Sequence, residues 1–225
     1  MIYVMSDLHG CYDEYRTMLE KINLNCNDKL YILGDVIDRG EGGIKILLDM
    51  MTRPNIIPLR GNHELMALPV LTKLNAEENL DHTTMKLWQE WMVNGGNATK
   101  KDFILQNYSK RKRILDYLET FSLYEIIKLE EKEFVLVHAG LSNFSQDKKL
   151  SDYSTEDIIC GRCNYQKAYF DDKILVTGHT PTFTIDKNYH GRIYSKNNHI
   201  AIDCGAIYGY TLGCICLNTL EEFYV

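Results

Sequence analysis

Five short runs carry side chains that could hold metal ions or move protons. SDLHG at 6–10 supplies Asp7 and His9, and GDVIDRG at 34–40 supplies Asp35, Asp38 and Arg39. RGNHE at 60–64 supplies Arg60, Asn62, His63 and Glu64, while HAG and GHT carry His138 and His179. Singly, each has an ordinary structural explanation. An Asp after a Gly is often a helix cap, a Gly-Asn pair a plain turn, and a His at a strand end a hydrogen-bonded scaffold residue. Gathered in one crevice they no longer do, because carboxylates and imidazoles would repel or stay unpaired unless a cation binds them. Oxygen and imidazole donors without a thiolate suit manganese, iron, zinc or magnesium. Two such ions about 3.5–4 Å apart, sharing a carboxylate, clamp phosphate oxygens and make hydroxide available at neutral pH for displacement at phosphorus.

The elements that must position these residues follow from hydrophobic periodicity. Ile2–Met5, Leu30–Leu33 and Ile56–Leu59 are short apolar runs, each ending at one of the polar clusters. Between them, Tyr15, Met18, Leu19 and Ile22, then Ile44, Leu47, Leu48 and Met51, fall on helical stripes. This β-α-β-α-β order predicts parallel strands joined by right-handed crossovers. The carboxyl ends of parallel strands line one crevice, so clusters far apart in sequence are expected to converge. Phe134–Val137 and Ile174–Thr177 are expected to deliver His138 and His179 to the same place. The stretch 65–121 reads as a helical insertion, with Met85, Trp88 and Met92 on one helix face and NGG at 94–96 as a stop. Ile114, Tyr117, Leu118 and Phe121 mark a further helix. The remainder is strand-rich, at His199–Ile202, Leu212–Leu217 and the final EEFYV. The fold class expected is α/β, one domain over 1–225 with helices about 65–121 inserted.

Composition excludes several function classes. A net charge of −6 argues against nucleic acid as a partner, which needs a clustered basic face. The single basic run, Lys110 to Arg113, reads as a solvated helix face. No stretch approaches the roughly 20 apolar residues of a membrane span, and the start passes directly into strand-like sequence, leaving no room for a signal peptide. Seven cysteines, Cys11, Cys26, Cys160, Cys163, Cys204, Cys214 and Cys216, show no paired framework and fit free thiols in a cytoplasmic setting. Cys160-Gly-Arg-Cys163 lacks the second pair that a zinc site needs. Cys11 and Arg16 lie too close for a cysteine-nucleophile phosphate loop, and no GxxxxGK[ST] loop is present.

The order DLHG, GDVIDRG, RGNHE, HAG, GHT resembles that of the calcineurin-like metallophosphoesterases. The full GDVIDRG with RGNHE resembles the PPP-type serine/threonine protein phosphatases, and WMVNGG, GHTP and DCGAIYG their small bacterial and phage, lambda phosphatase-like branch. The likeness implies a β-sandwich flanked by helices and two divalent metal ions, manganese first among the candidates. It places Asp7, His9 and Asp35 on one ion and Asp35, Asn62, His138 and His179 on the other, with Asp35 bridging. His63 is then the general acid, held charged by Asp38, since a carboxylate beside a His favours the imidazolium. Arg39 is implied as a phosphate grip through its planar fork, with Arg162 as a second. Arg60 and Glu64 are expected to form ion pairs behind the site.

The expected reaction is metal-dependent phosphomonoester hydrolysis by in-line attack of hydroxide, with a phosphoserine or phosphothreonine protein as substrate. The main alternative is a diadenosine tetraphosphatase or other small-molecule phosphoesterase. Symmetrical diadenosine tetraphosphatases tend to lose the second Asp of GDxxDRG and to read GNHD, whereas Asp38 and Glu64 are both here. A non-catalytic scaffold on the same fold is the alternative of another class, and would be expected to have lost ligands.

Overall fold

The computed structural model describes residues 1–225. Its ten strands form two five-stranded sheets. In the first, β1 (Ile2–Met5), β2 (Lys29–Ile32) and β3 (Ile56–Pro58) run parallel, and β9 (Gly213–Cys216) and β10 (Glu222–Tyr224) join antiparallel beside β1, in the order β10-β9-β1-β2-β3. Helix α1 (Tyr12–Lys21) connects β1 to β2, and α2 (Gly43–Met50) connects β2 to β3, as the alternating periods predict. The second sheet orders β4 (Tyr124–Leu129), β5 (Lys132–Val137), β6 (Lys173–Thr177), β8 (His199–Ala201) and β7 (Tyr194–Lys196) as β4-β5-β6-β8-β7. There β5, β6 and β8 are parallel and the edge strands antiparallel.

The two sheets pack face to face. Val4, Tyr31 and Ile215 of the first sheet meet Phe134, Leu136, Val176 and Ile200 of the second in a buried interlayer. The neighbouring residues Tyr3, Met5, Leu30 and Ile32 face the other way, against Tyr15, Met18, Ile44 and Leu47 of the first two helices. This is the period-two alternation of a strand buried on both faces. Val135, Val137 and Leu175 cover the outer face of the second sheet together with Ile158 and Ile159 of α7 (Thr155–Ile159). The mixed α/β sandwich flanked by helices is thus as expected, with one correction. The five polar clusters end strands of two sheets rather than one, and the crevice lies where both sheets present the same end. Strands β4 and β7, both at an edge of the second sheet, have no counterpart in the sequence reading.

Four helices fill the stretch between β3 and β4: α3 (Asn62–Asn75), α4 (His82–Val93), α5 (Asn97–Leu105) and α6 (Tyr108–Glu119). The stripe on α6 is as predicted, with Ile114 and Leu118 buried. On α4 it is not. Met85 is exposed, Trp88 and Met92 are only half-buried, and the residue driven fully inside is Trp91. Its indole nitrogen explains the difference, because it has a polar partner in the interior. No helix is long and apolar enough to cross a membrane.

Candidate active site

The loops that leave β1 and β2 are zipped together by backbone hydrogen bonds. Asp7 N–H donates to Gly34 O at 3.2 Å and His9 N–H to Asp35 O at 2.9 Å. The loops after β5 and β6 are joined likewise, Gly178 N–H donating to His138 O at 2.8 Å. Two further bonds cross between the sheets: His138 Nδ1 lies 2.6 Å from Leu33 O, and His179 N–H donates to Asp7 Oδ2 at 2.8 Å. Asp7, His9, Asp35, Asp38, Arg39 and His179 all adopt left-handed backbone conformations, with φ between 40° and 73°. For side-chain-bearing residues this region is sparsely populated, and its concentration at one place marks a functional site.

The six expected ligands lie together. Asp35 stands between two groups: its Oδ2 lies 3.6 Å from His9 Nε2, and its Oδ1 lies 3.5 Å from His138 Nε2. Asn62 Oδ1 sits 3.1 Å from His138 Nε2 and 3.0 Å from His179 Nδ1. Asp7 Oδ1 is 4.0 Å from His9 Nε2. Donor atoms of His9, Asp35 and His63, and separately of Asp35, His138 and His179, lie within 4.8 Å of one another. These donors fit divalent metal, and three observations bear on that fit. Asp7 and Asp35 are buried carboxylates, 3% and 2% exposed, with no lysine paired to them. The His9 Nε2 lone pair already accepts from a cationic group, the Arg39 guanidinium at 2.7 Å. Space is also kept clear around the carboxylates, since a Cβ on Gly178 would lie 2.2 Å from Asp7 Oδ2 and one on Gly61 would lie 2.2 Å from Asp35 Oδ1.

Electrostatics follow from burial. Desolvation pushes the Asp7 carboxyl up to about 6 and the His9 imidazole down to about 3. His179 is lowered to about 4 by burial, then by the neighbouring His138, with Arg162 adding a smaller push. Neutral imidazoles with free lone pairs are what a metal needs. Burial disfavours charge on His138 too, but Asp35, Asp7 and the Leu33 carbonyl together outweigh it and raise His138 to about 10.

His63 forms a second unit. Its Nδ1 lies 2.7 Å from Asp38 Oδ2, while its Nε2 faces the centre, 3.8 Å from Asp35 Oδ2 and 3.3 Å from Arg39 Nη2. Burial lowers the His63 pKa, but Asp35 and Asp38 together leave it raised. Asp38 is itself held on three sides, a feature sequence reasoning missed. Trp91 Nε1 donates to Oδ2 at 2.7 Å, Thr99 Oγ1 donates to Oδ1 at 2.6 Å, and Asp38 N–H donates to Thr99 Oγ1 at 2.9 Å. Gly95, at φ 99°, lets the chain lie against Arg39, whose N–H bonds Gly95 O at 3.1 Å. NGG therefore does more than end a helix: it packs on Arg39 and on the Trp91 indole.

The expected ion pairs of Arg60 and Glu64 do not form. Arg60 donates instead to the last carbonyls of α6, Glu119 O at 3.1 Å and Leu118 O at 3.4 Å. Glu64, fully buried, receives the backbone N–H groups of Asp35, Val36 and Gly61 at 2.8–2.9 Å, which fixes the turn that presents Asp35. Arg162 is exposed and unpaired at the rim. Two buried neighbours were not singled out from sequence. Ser6 Oγ donates to Asp7 Oδ2 at 2.5 Å, and Asp203, 5% exposed, is pushed well above the carboxylate range by burial and by Asp7.

The chain is 31% identical over 141 residues to the symmetrical bis(5'-nucleosyl)-tetraphosphatase of Wigglesworthia glossinidia brevipalpis, covering 62% of this chain and 44% of that protein. It is 34% identical over 154 residues to serine/threonine-protein phosphatase 2 of Salmonella typhimurium, covering 65% and 61%. The chain thus spans about half the length of the curated relatives it matches. A solved structure of a candidate diadenosine tetraphosphatase superposes with a TM-score of 0.67 over 100% of this chain and 92% of that one, at 15% identity, which speaks to the fold alone. The calcineurin-like phosphoesterase family description matches residues 1–210, all five clusters included, and this chain belongs to that family.

Proposed function

We propose that the chain cleaves phosphoester or phosphoanhydride bonds at a dinuclear metal centre, with the phosphoanhydride of dinucleoside tetraphosphates as its first substrate class. The carrying observation is Asp35, whose two oxygens face two separate groups of nitrogen and oxygen donors. Metals held by Asp7, His9 and Asp35 and by Asp35, Asn62, His138 and His179 would clamp the phosphate and supply hydroxide at neutral pH. The chain's own groups supply the rest. Arg39 offers its planar fork to the phosphate oxygens, and Arg162 waits at the rim. His63 Nε2, aimed at the centre, donates a proton to the departing oxygen, while Asp38 fixes Nδ1 and favours the charged ring. The names carried by similar curated proteins support the dinucleotide over the phosphoprotein expected from sequence.

A second reading, hydrolysis of phosphoserine or phosphothreonine, has its own observation in the Asp38–His63 pair. A nucleoside diphosphate leaves as a stable anion, whereas a serine or threonine oxygen leaves poorly without a proton. The deciding experiment compares kcat/KM for diadenosine tetraphosphate and a phosphothreonine peptide with added Mn²⁺. Preference for the dinucleotide upholds the first reading, and preference for the peptide replaces it with the second. Turnover of neither removes both and leaves a scaffold.

A further inference from the structure

Four aromatic rings gather outside every buried core, at one lip of the site. Phe183, on the short helix α8 (Thr182–Ile185) that follows GHTP, is the hub. Its ring centroid lies 5.0 Å from Tyr210, 5.8 Å from Tyr208 and 5.9 Å from His190, and His190 lies 5.4 Å from Tyr210. Tyr208 and Tyr210 are 52% and 40% exposed, and neither hydroxyl makes a hydrogen bond within the chain. Gly205, at φ 82°, begins the loop that carries both tyrosines. A Cβ there would come within 3.0 Å of the Phe183 ring and 3.1 Å of the Tyr210 ring, so the glycine allows these rings their close approach.

Burial does not explain this gathering, because large rings left half in water forfeit much of what they gain by packing. Their position does explain it. The Arg39 guanidinium lies 5.7 Å from the Tyr208 ring centroid, and the same group is 2.7 Å from His9 Nε2 and 3.3 Å from His63 Nε2. A flat group resting on Tyr208 is therefore one guanidinium away from His9 and His63. The ligand such a surface suits has polyphosphate at one end and a planar ring at the other.

We propose that Phe183, His190, Tyr208 and Tyr210 form a stacking platform for one nucleobase of the substrate, an inference that rests on the dinucleoside tetraphosphate reading above. Bases stack on aromatic side chains through their π faces with little demand on identity, so the platform tolerates different bases. The test is kcat/KM on diadenosine tetraphosphate and on inorganic tetraphosphate, which lacks the base, both with Mn²⁺. Wild type is compared with Tyr208→Ala/Tyr210→Ala and with Tyr208→Phe/Tyr210→Phe, each checked for an intact thermal transition. The alanine pair should lower the ratio of dinucleotide to tetraphosphate activity about 5- to 150-fold. The phenylalanine pair, which keeps both rings, should retain the wild-type ratio. An unchanged ratio in the alanine pair, with wild type active on the dinucleotide, overturns the platform and leaves the substrate reading standing. A wild type that cleaves phosphopeptide but no dinucleotide overturns the substrate reading, and the platform with it.

Discussion

Replacing Thr99 with valine removes one hydroxyl from the interior without changing the shape of the side chain, and this hydroxyl serves Asp38 twice. It donates to Asp38 Oδ1 at 2.6 Å and accepts from Asp38 N–H at 2.9 Å, and the residue is 2% exposed, so no water can replace it. Losing a hydrogen bond to a buried charged group costs about 1.5–3 kcal/mol, and orphaning a buried N–H about 1–3 kcal/mol. The two losses share one site and relax together, so about 2–4 kcal/mol is the expected sum. In a chain of this size that lowers Tm by about 5–15 °C and leaves the protein folded. Asp38 keeps Trp91 and His63 on Oδ2 but loses its anchor on Oδ1, so the imidazole loses its fixed aim. Turnover of an alkyl phosphomonoester should then fall about 10-fold further than turnover of p-nitrophenyl phosphate, whose leaving group departs without a proton. Thr99→Ser keeps the hydroxyl and should restore the ratio of the two rates. The assay is a urea titration of each variant beside kcat/KM on both esters. A Thr99→Val protein within about 0.5 kcal/mol of wild type, or one that slows equally on both esters, refutes the idea that α5 holds the acid in place.

Other outcomes test the remaining assignments. His63→Asn should retain two metals per chain and lose about 10²–10⁴-fold in turnover of a poor leaving group. Loss of one metal by elemental analysis would instead make His63 a ligand, a role its carboxylate-backed ring could also fill. Gly178→Ala should displace Asp7, because the added Cβ would sit 2.2 Å from its Oδ2 and 2.0 Å from Ser6 Oγ; metal content should fall, and full occupancy would contradict the packing described. His199, 1% exposed, is lowered to about 4 by burial. Unfolded, it titrates near 6.5, so between those values the unfolded chain binds more protons. Its stability term is therefore present above pH about 6.5 and is lost as pH falls toward 4, amounting to roughly 3 kcal/mol. Urea midpoints of wild type should fall more steeply over that window than those of His199→Gln, and parallel slopes would remove His199 from the account.

The residues of the centre were legible because each terminates an apolar run, and chain order survives folding. What joins them was less so. A period of two places Val4 on one face and Met5 on the other, but nothing in the pattern says that Phe134 belongs to a second sheet packed on Val4. Strands at an edge, such as Tyr124–Leu129, are half-exposed and carry a mixed signal. Trp91 escaped because helical spacing groups Met85, Trp88 and Met92, and its decisive partner, Asp38, lies 53 residues away. Thr99 and Ser6 are small polar residues of the kind that cap helices and fill turns everywhere, so their type alone announces nothing. Glu64 was misjudged for a simpler reason. A carboxylate near an arginine reads as an ion pair, yet at the third position of its helix it is better satisfied by backbone N–H groups.

The division of the centre between two sheets bears on the life of the protein as well as on its chemistry. Asp7, His9, Asp35 and Asn62 come from one layer, His138 and His179 from the other, and at the centre polar bonds cross between them at Leu33, Asp7 and Asn62. Ions seated there would rivet the layers together, and whatever binds only the folded form lowers the population of opened chains. Cells short of the metal would then hold a chain that opens at its seam more easily than the metal-bound one. Proteases act on opened chains, so metal supply would set how long each molecule lasts as well as how fast it works.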